Sequence, residues 1–314
     1  MVRNWFVAAA ISVLATSAVA QPCVRGGGQA ITWGNDLAEG VAQAKKQGLP
    51  LLLYVTAASR DRDDDRESQH RKAFSNPQVI EWTRRFIPVR VSRSRYRDQL
   101  DEWNAATANQ IVLFVTPDGK LIDQLGPEGV GNVSSFSQKM QLVFRKFRED
   151  IYNDEVKPKL TADADAAALR MALKRVDHYR LLAADQALAK QLEREDLPAD
   201  IRRSVFQALA ELSTRPAVTA LLNRALEEED AAAALTKCTP AAAEQMLEAL
   251  LGSDGQVNVL VYQAVTRIAK VPNAKPERFW EGKNDKVKQD EVERVKKLVT
   301  TAARKWNDKH AEFR

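Results

Sequence analysis

The chain has 314 residues, 47 Lys and Arg against 42 Asp and Glu, a formal net charge of +5 at pH 7 and 28% charged residues. That length suits about two domains, and charges of mixed sign at that density describe an ordinary solvated surface, so the mild basic excess gives no reason to expect a nucleic-acid partner. With only two cysteines, Cys23 and Cys238, the chain is neither a disulfide-stapled scaffold nor the carrier of a CxxC redox couple.

In chain order, Arg3 precedes the apolar run WFVAAAISVLATSAVA, which ends in Ala18-Val19-Ala20 before Gln21. This pattern reads as a signal peptide over residues 1–20, and the run is shorter than the ~20 residues a spanning helix needs. The mature protein is therefore expected to be exported, periplasmic or secreted. Gln21-Pro22 stand before Cys23 where a lipobox needs small residues, so no lipid anchor is expected. Residues 21–32 read as a flexible, glycine-rich arm. A bridge from Cys23 to Cys238 would tie this arm to the C-terminal half. The alternative is two unpaired thiols, with Cys238 packing as a small hydrophobe beside an alanine-rich helix.

Residues 33–150 alternate helical and strand patterns. Asn35 is placed to cap a helix carrying Leu37, Val41 and Ala44 on one face, and Gly48 ends it. LLLYV, after Pro50, is a continuous apolar run that suits a strand buried on both faces. Residues 61–73 can begin a helix, and Ser75-Asn76-Pro77 opens a second one with Val79, Ile80, Trp82 and Phe86 inward. Ile87 to Val91 is a second strand, Leu100 to Ala108 a short helix, and IVLFVT a third strand. Asp118-Gly119 turns the chain into LIDQLG as a hairpin partner, and SSFSQKMQLVFRKFRED closes the unit as a long amphipathic helix. This order gives an α/β sandwich on a mixed sheet.

Trp33 with Asp36-Leu37-Ala38, AKKQGLPLLLY from Ala44 to Tyr54, FSNPQVI with FIPVRV, and VLFVTPDGK from Val112 to Lys120 resemble, in order and spacing, the thioredoxin-like superfamily in its exported, DUF255-related type. The resemblance covers residues 33–148 and implies a thioredoxin-like sandwich. In that family a CxxC stands at the N-terminus of the helix after the first long strand, where the helix dipole and exposed amides lower the thiolate pKa. It also places a cis-proline just before the hairpin strand, opposite that turn. Here the first position reads AASRDRD, with Ser59, Arg60 and Asp61 in place of the motif, and the second falls on Gln110 followed by Ile111. A serine without an adjacent base cannot replace a thiolate. His70 lies about ten residues along the helix from that turn, ~15 Å at helical rise. Disulfide exchange is therefore not expected.

Two charged features remain in this half. Asp61, Asp63 and Asp65 alternate like the first ligands of a calcium loop, but Arg66 and Lys72 stand where that loop needs glycine and glutamate, so no metal and no cofactor are expected. Arg84, Arg85, Arg90, Arg93, Arg95 and Arg97 crowd into fourteen residues around Tyr96. They could bind carboxylate, phosphate or an anionic glycan. Equally, they could pair within the molecule with the acids of residues 61–67.

Residues 151–162, around Asp154 to Pro158, read as a linker. Beyond them, residues 163–314 carry no strand pattern. Helices are expected over 163–176, 178–195, 198–213, 215–229, 239–251, 255–270 and 286–310, with Pro198, Pro216 and Pro240 near helix starts. Taken in pairs they repeat every ~37–41 residues, close to helical-hairpin spacing. ADIRRSVFQALAEL and GQVNVLVYQAVTRIAK resemble the inner helices of HEAT repeats, an irregular bundle being the alternative. The basic last helix suits a cap. No nucleophile–base–orienter set assembles anywhere. The expected function is thus a redox-inactive protein-binding or scaffold module with protein partners in the cell envelope. The alternatives are a residual thiol–disulfide oxidoreductase, or a binder of anionic envelope polymer or lipid with peripheral membrane contact.

Overall fold

The computed structural model of the chain describes residues 30–56, 64–105, 109–251, 256–282 and 284–310. Residues 1–20, where a signal peptide was expected, and Cys23, Ser59, Arg60, Asp61 and Asp63 lie outside these residues.

Helix α1, Leu37–Gln47, is capped by Asp36 instead of Asn35: the carboxylate accepts the Glu39 amide at 3.0 Å. Both residue types cap well, and Asp36 is selected by partners 59 and 60 residues away, Arg95 and Tyr96. Gly48 closes the helix at φ 69. Strand β1, Leu51–Thr56, is buried from Leu51 to Val55. Helices α2, Asp64–Phe74, and α3, Pro77–Thr83, follow. Asn76 caps α3 through the Gln78 amide at 2.9 Å, and Pro77 takes the first turn, where its missing N–H costs nothing. Next come β2, Ile87–Ser92, and α4, Arg97–Glu102. The short helix expected from Leu100 thus begins earlier and is closed by Asn104 at φ 54. Strands β3, Ile111–Val115, and β4, Leu121–Leu125, form the expected hairpin around Gly119 at φ 88. Helices α5, Pro127–Gly131, and α6, Val133–Ile151, complete this half.

The four strands form one mixed sheet in the order β2-β1-β3-β4. β1 and β2 are parallel, while β3 runs antiparallel to both its neighbours. Successive side chains of a strand point to opposite faces, so Leu51, Leu53 and Val55 enter one apolar layer with Leu37, Ala44 and Leu100. Leu52 and Tyr54 enter the other, with Val79, Phe136 and Met140. Helices thus cover both faces. The outer edge of β2 is sealed as well: the Gly34 amide donates to Pro88 O at 2.9 Å, and the Arg90 amide donates to Gly34 O at 2.7 Å.

Nine helices among the described residues make up the rest: α7, Ala166–Tyr179; α8, Asp185–Gln191; α9, Ala199–Leu212; α10, Arg215–Arg224; α11, Glu229–Leu235; α12, Pro240–Met246; α13, Val259–Ile268; α14, Arg278–Gly282; and α15, Asp285–His310. Several are shorter than their periodicity predicts. A helix expected over 178–195 is interrupted because Arg180, at φ 48, ends α7, and a 3-10 turn at Leu182–Ala184 intervenes before α8. Pro216 and Pro240 sit in first turns as expected, while Pro198 is the cap residue of α9.

Residues 151–162, read as a linker, are folded and packed. α6 continues through a wide turn, Tyr152–Val156, and a 3-10 turn, Lys157–Lys159. Val156 and Leu160 are buried in the same apolar cluster as Phe147, Ile151, Leu169 and Phe206. The buried Gln191 amide donates to Leu160 O at 2.9 Å and to Thr161 O at 3.2 Å, pinning the segment. Farther on, the Tyr262 hydroxyl donates to Glu291 Oε1 at 2.6 Å and accepts the Lys275 amide at 2.7 Å. Arg294 donates to both oxygens of that carboxylate, at 2.7 Å to Oε1 and 2.8 Å to Oε2, so a buried charge is both paired and hydrogen-bonded. Among the described residues no helix is long and apolar enough to cross a membrane.

Candidate functional site

At the C-terminal ends of β1 and β2, beside α2, lies a polar cavity of about 350 Å³ lined by Tyr54, Thr56, Glu67, Arg90, Arg95, Tyr96 and Gln110, among others. The carboxyl ends of parallel strands at a switch in sheet order are where α/β folds place their ligands. β1 is that switch, with β2 parallel on one side and β3 antiparallel on the other. A larger, open groove of about 750 Å³ runs along α8 and α10, lined by Glu193, Arg215, Asn223, Arg224 and Glu227 among others.

Gln110 stands at the inner wall. Val55 pairs with Ile111, so the residue before the hairpin strand lies against the end of β1, as the resemblance implies for the proline position. Gln110 is buried, 2% exposed, with a left-handed backbone at φ 54. A glutamine held there costs of order 1–3 kcal/mol, tolerated only where the surroundings fix it. Among the described residues there is no cis peptide bond.

The charged groups are paired. Glu67, its side chain 13% exposed, meets Arg90 at 3.5 Å and Arg71 at 3.6 Å. Arg90 also lies 5.7 Å from the Tyr54 ring centre. Arg95 reaches Asp36 Oδ2 at 3.2 Å, and the Tyr96 hydroxyl donates to the same oxygen at 3.3 Å. The Glu39 amide above all holds the Asp36 carboxyl below the usual carboxylate range; burial opposes it, and the Ala38 amide, Tyr96 and Arg95 add to the lowering.

The hydroxyls are committed too. Thr56 Oγ1 donates to Val91 O at 3.2 Å, and Ser92 and Ser94 share a hydrogen bond of 2.9 Å. His70, 1% exposed, has Nε2 2.8 Å from Pro127 O and Nδ1 3.0 Å from the Tyr54 hydroxyl. A carbonyl can only accept, so Nε2 carries the proton and Nδ1 accepts from Tyr54. The imidazole therefore joins α2 to α5 and is not a base open to the cavity. Sequence reasoning placed His70 by distance alone and missed this burial, because the surrounding helix is charged on both sides of it. Among the described residues the cavity offers hydrogen-bond recognition and no nucleophile with a base.

The fold does not assemble the six arginines into one patch. Arg84 and Arg85 precede β2, whereas Arg93, Arg95 and Arg97 follow it, and a strand of that length separates them by roughly 20 Å. Arg84 pairs with Glu81 at 2.6 Å, and Arg85 stacks 4.3 Å from the Trp82 ring centre. Only Arg90 and Arg95 line the cavity. Cys238 is a buried free thiol, pushed up to about 12 by its desolvation, and Cys23 lies outside the described residues. Among the described residues no group of His, Cys, Asp or Glu is placed to hold a metal. Comparison with known proteins gives no matching family model and no matching curated protein.

Proposed function

We propose that residues 33–150 form a thioredoxin-like domain that no longer exchanges disulfides and instead recognises protein, carried on a HEAT-like helical half and acting in the cell envelope after export. The strand order, with β3 antiparallel to its neighbours and a helix following β1, supports the fold. The observation that carries the function is Gln110: a buried, left-handed polar residue kept at the inner wall of a cavity where the family would carry its proline. Such backbone strain persists at sites that bind. Export rests on the sequence of residues 1–20.

The test has two arms. Purified mature protein is expected not to accelerate the reduction of insulin by dithiothreitol above the uncatalysed rate, and acceleration that disappears on substituting either cysteine by serine overturns the reading. A photo-crosslinker at Asn35, exposed on the cavity wall, is expected to trap discrete proteins in the envelope, and to lose them with Arg90→Glu. Crosslinks to lipid or glycan alone overturn protein recognition.

A second reading, binding of an anionic envelope polymer, is favoured by a different surface. A groove of about 420 Å³ beside the end of α1 gathers Lys45, Lys46, Lys159, Lys174, Arg175 and His178 around a single carboxylate, Glu155. Such binding would weaken steeply as salt rises.

A further inference from the structure

At the opposite end of β2 from the polar cavity, α3, α6 and the chain after α7 enclose a groove of about 260 Å³. Its walls are apolar: Trp82, Phe144, Tyr152, Leu181 and Leu182. Into this setting α6 brings Arg148. One Nη donates to the Arg180 carbonyl, while Nε is buried with no hydrogen-bond partner. Burial, first, and the charges of Arg180 and Arg85 destabilise its cationic form. Arg148 has no carboxylate partner among the described residues, and neither does Arg145 on the rim. The acid nearby in sequence, Glu149, is exposed at the groove mouth. Arg148 is half-buried, with its Nε–H enclosed and unmet; such a guanidinium is costly, and a carboxylate is its natural complement.

The volume decides what carries that carboxylate. Sites for small organic ligands span roughly 300–1,000 Å³, so this groove is too small for a long acyl chain and takes about one large side chain. We propose that it binds the C-terminal residue of a partner polypeptide, with an apolar side chain between Trp82, Phe144, Tyr152 and Leu182 and the terminal carboxylate on Arg148. Capture of a chain end in this way requires a free α-carboxylate, which distinguishes it from recognition of an internal segment. The site is independent of the polar cavity, from which a strand length separates it, and it stands whether or not that cavity binds protein.

The test is selection by the full mature protein from a random hexapeptide library displayed with free C-termini, followed by fluorescence anisotropy of the selected peptide. The expected result is enrichment of Leu, Phe, Met or Trp at the last position alone. Amidation of the terminus should weaken binding about tenfold or more, as should Arg148→Gln. If Arg148→Gln lowers the thermal midpoint markedly, Leu182→Glu replaces it, since that half-exposed wall position sets a like charge against the carboxylate. No preference at the last position, equal binding of the amide, or saturable binding of dodecanoate in place of any peptide overturns the proposal.

Discussion

Replacing Gly48 with alanine tests a contact between the two halves. Gly48 ends α1 in the left-handed region, and a methyl group there would overlap the Tyr179 hydroxyl of α7 and lie 3.2 Å from both Tyr179 Cζ and His178 Nε2. The same corner is held by His178, whose Nε2 donates to Gln47 O at 2.9 Å. An L-residue in that backbone conformation costs about 1–2 kcal/mol, and forcing a packed side chain aside costs about 1–3 kcal/mol more. Gly48→Ala should therefore lose about 2–5 kcal/mol. Tyr179→Phe alone loses the 3.1 Å hydrogen bond from Arg175 to the hydroxyl, about 0.5–1.5 kcal/mol. The double variant keeps the backbone cost but loses the overlap with oxygen, so it should be at least about 1 kcal/mol more stable than additivity requires. Urea unfolding of all four proteins, at matched slopes, measures the cycle. Additivity within about 0.5 kcal/mol means that Gly48 and Tyr179 do not touch, and the reasoning fails.

Two further outcomes follow from ionisation. Burial first, then the neighbouring Asp177 carboxyl, push Glu211 up to about 7, above its value of about 4.3 in an unfolded chain. Its contribution to stability is thus fully present below about pH 4.3 and is lost as pH rises through 7. Solvent screening at this exposed position limits the effect to less than about 1 kcal/mol. Stability curves of wild type and Glu211→Gln should converge in acid and separate towards pH 7.5 in favour of the variant, whereas parallel curves contradict the assignment. In a Cys23→Ser protein, Cys238 should resist Ellman's reagent at pH 8 and react fully in urea, because its thiol titrates at about 12 under burial. Rapid reaction of the folded protein would show that this thiol is not enclosed.

Local chemistry was readable wherever one residue type decides the backbone. The LLLYV run announced a strand covered on both faces, Gly48 and Asp118-Gly119 marked their turns, and Pro77 opened its helix. What could not be read depended on distant partners. Asp36 wins the cap from Asn35 because Arg95 and Tyr96 arrive from across the sheet. The arginine cluster is dense in sequence and divided in space, because an extended strand runs through its middle. The polar cavity was visible only as a missing motif, and Gln110 was found from its place before the hairpin strand, not from any property of glutamine. Arg148 gave no signal at all: the turn that closes its groove lies 32 residues later, beginning at Arg180.

Helix α6 belongs to both halves. Phe136, Met140 and Val143 lie against the sheet, and Phe147 and Ile151 enter the helical core, on one unbroken rod. The segment after residue 151, expected to be a linker, instead continues from α6 and packs into the helical core through Val156 and Leu160. A partner that touches the sandwich and the helices together meets surfaces already set at a fixed angle, with no swinging module to immobilise and little entropy to lose in doing so. If both proposed sites bind, the same packing would make the molecule a ruler: the separation between its polar cavity and its apolar groove would select partners whose own contact points match it.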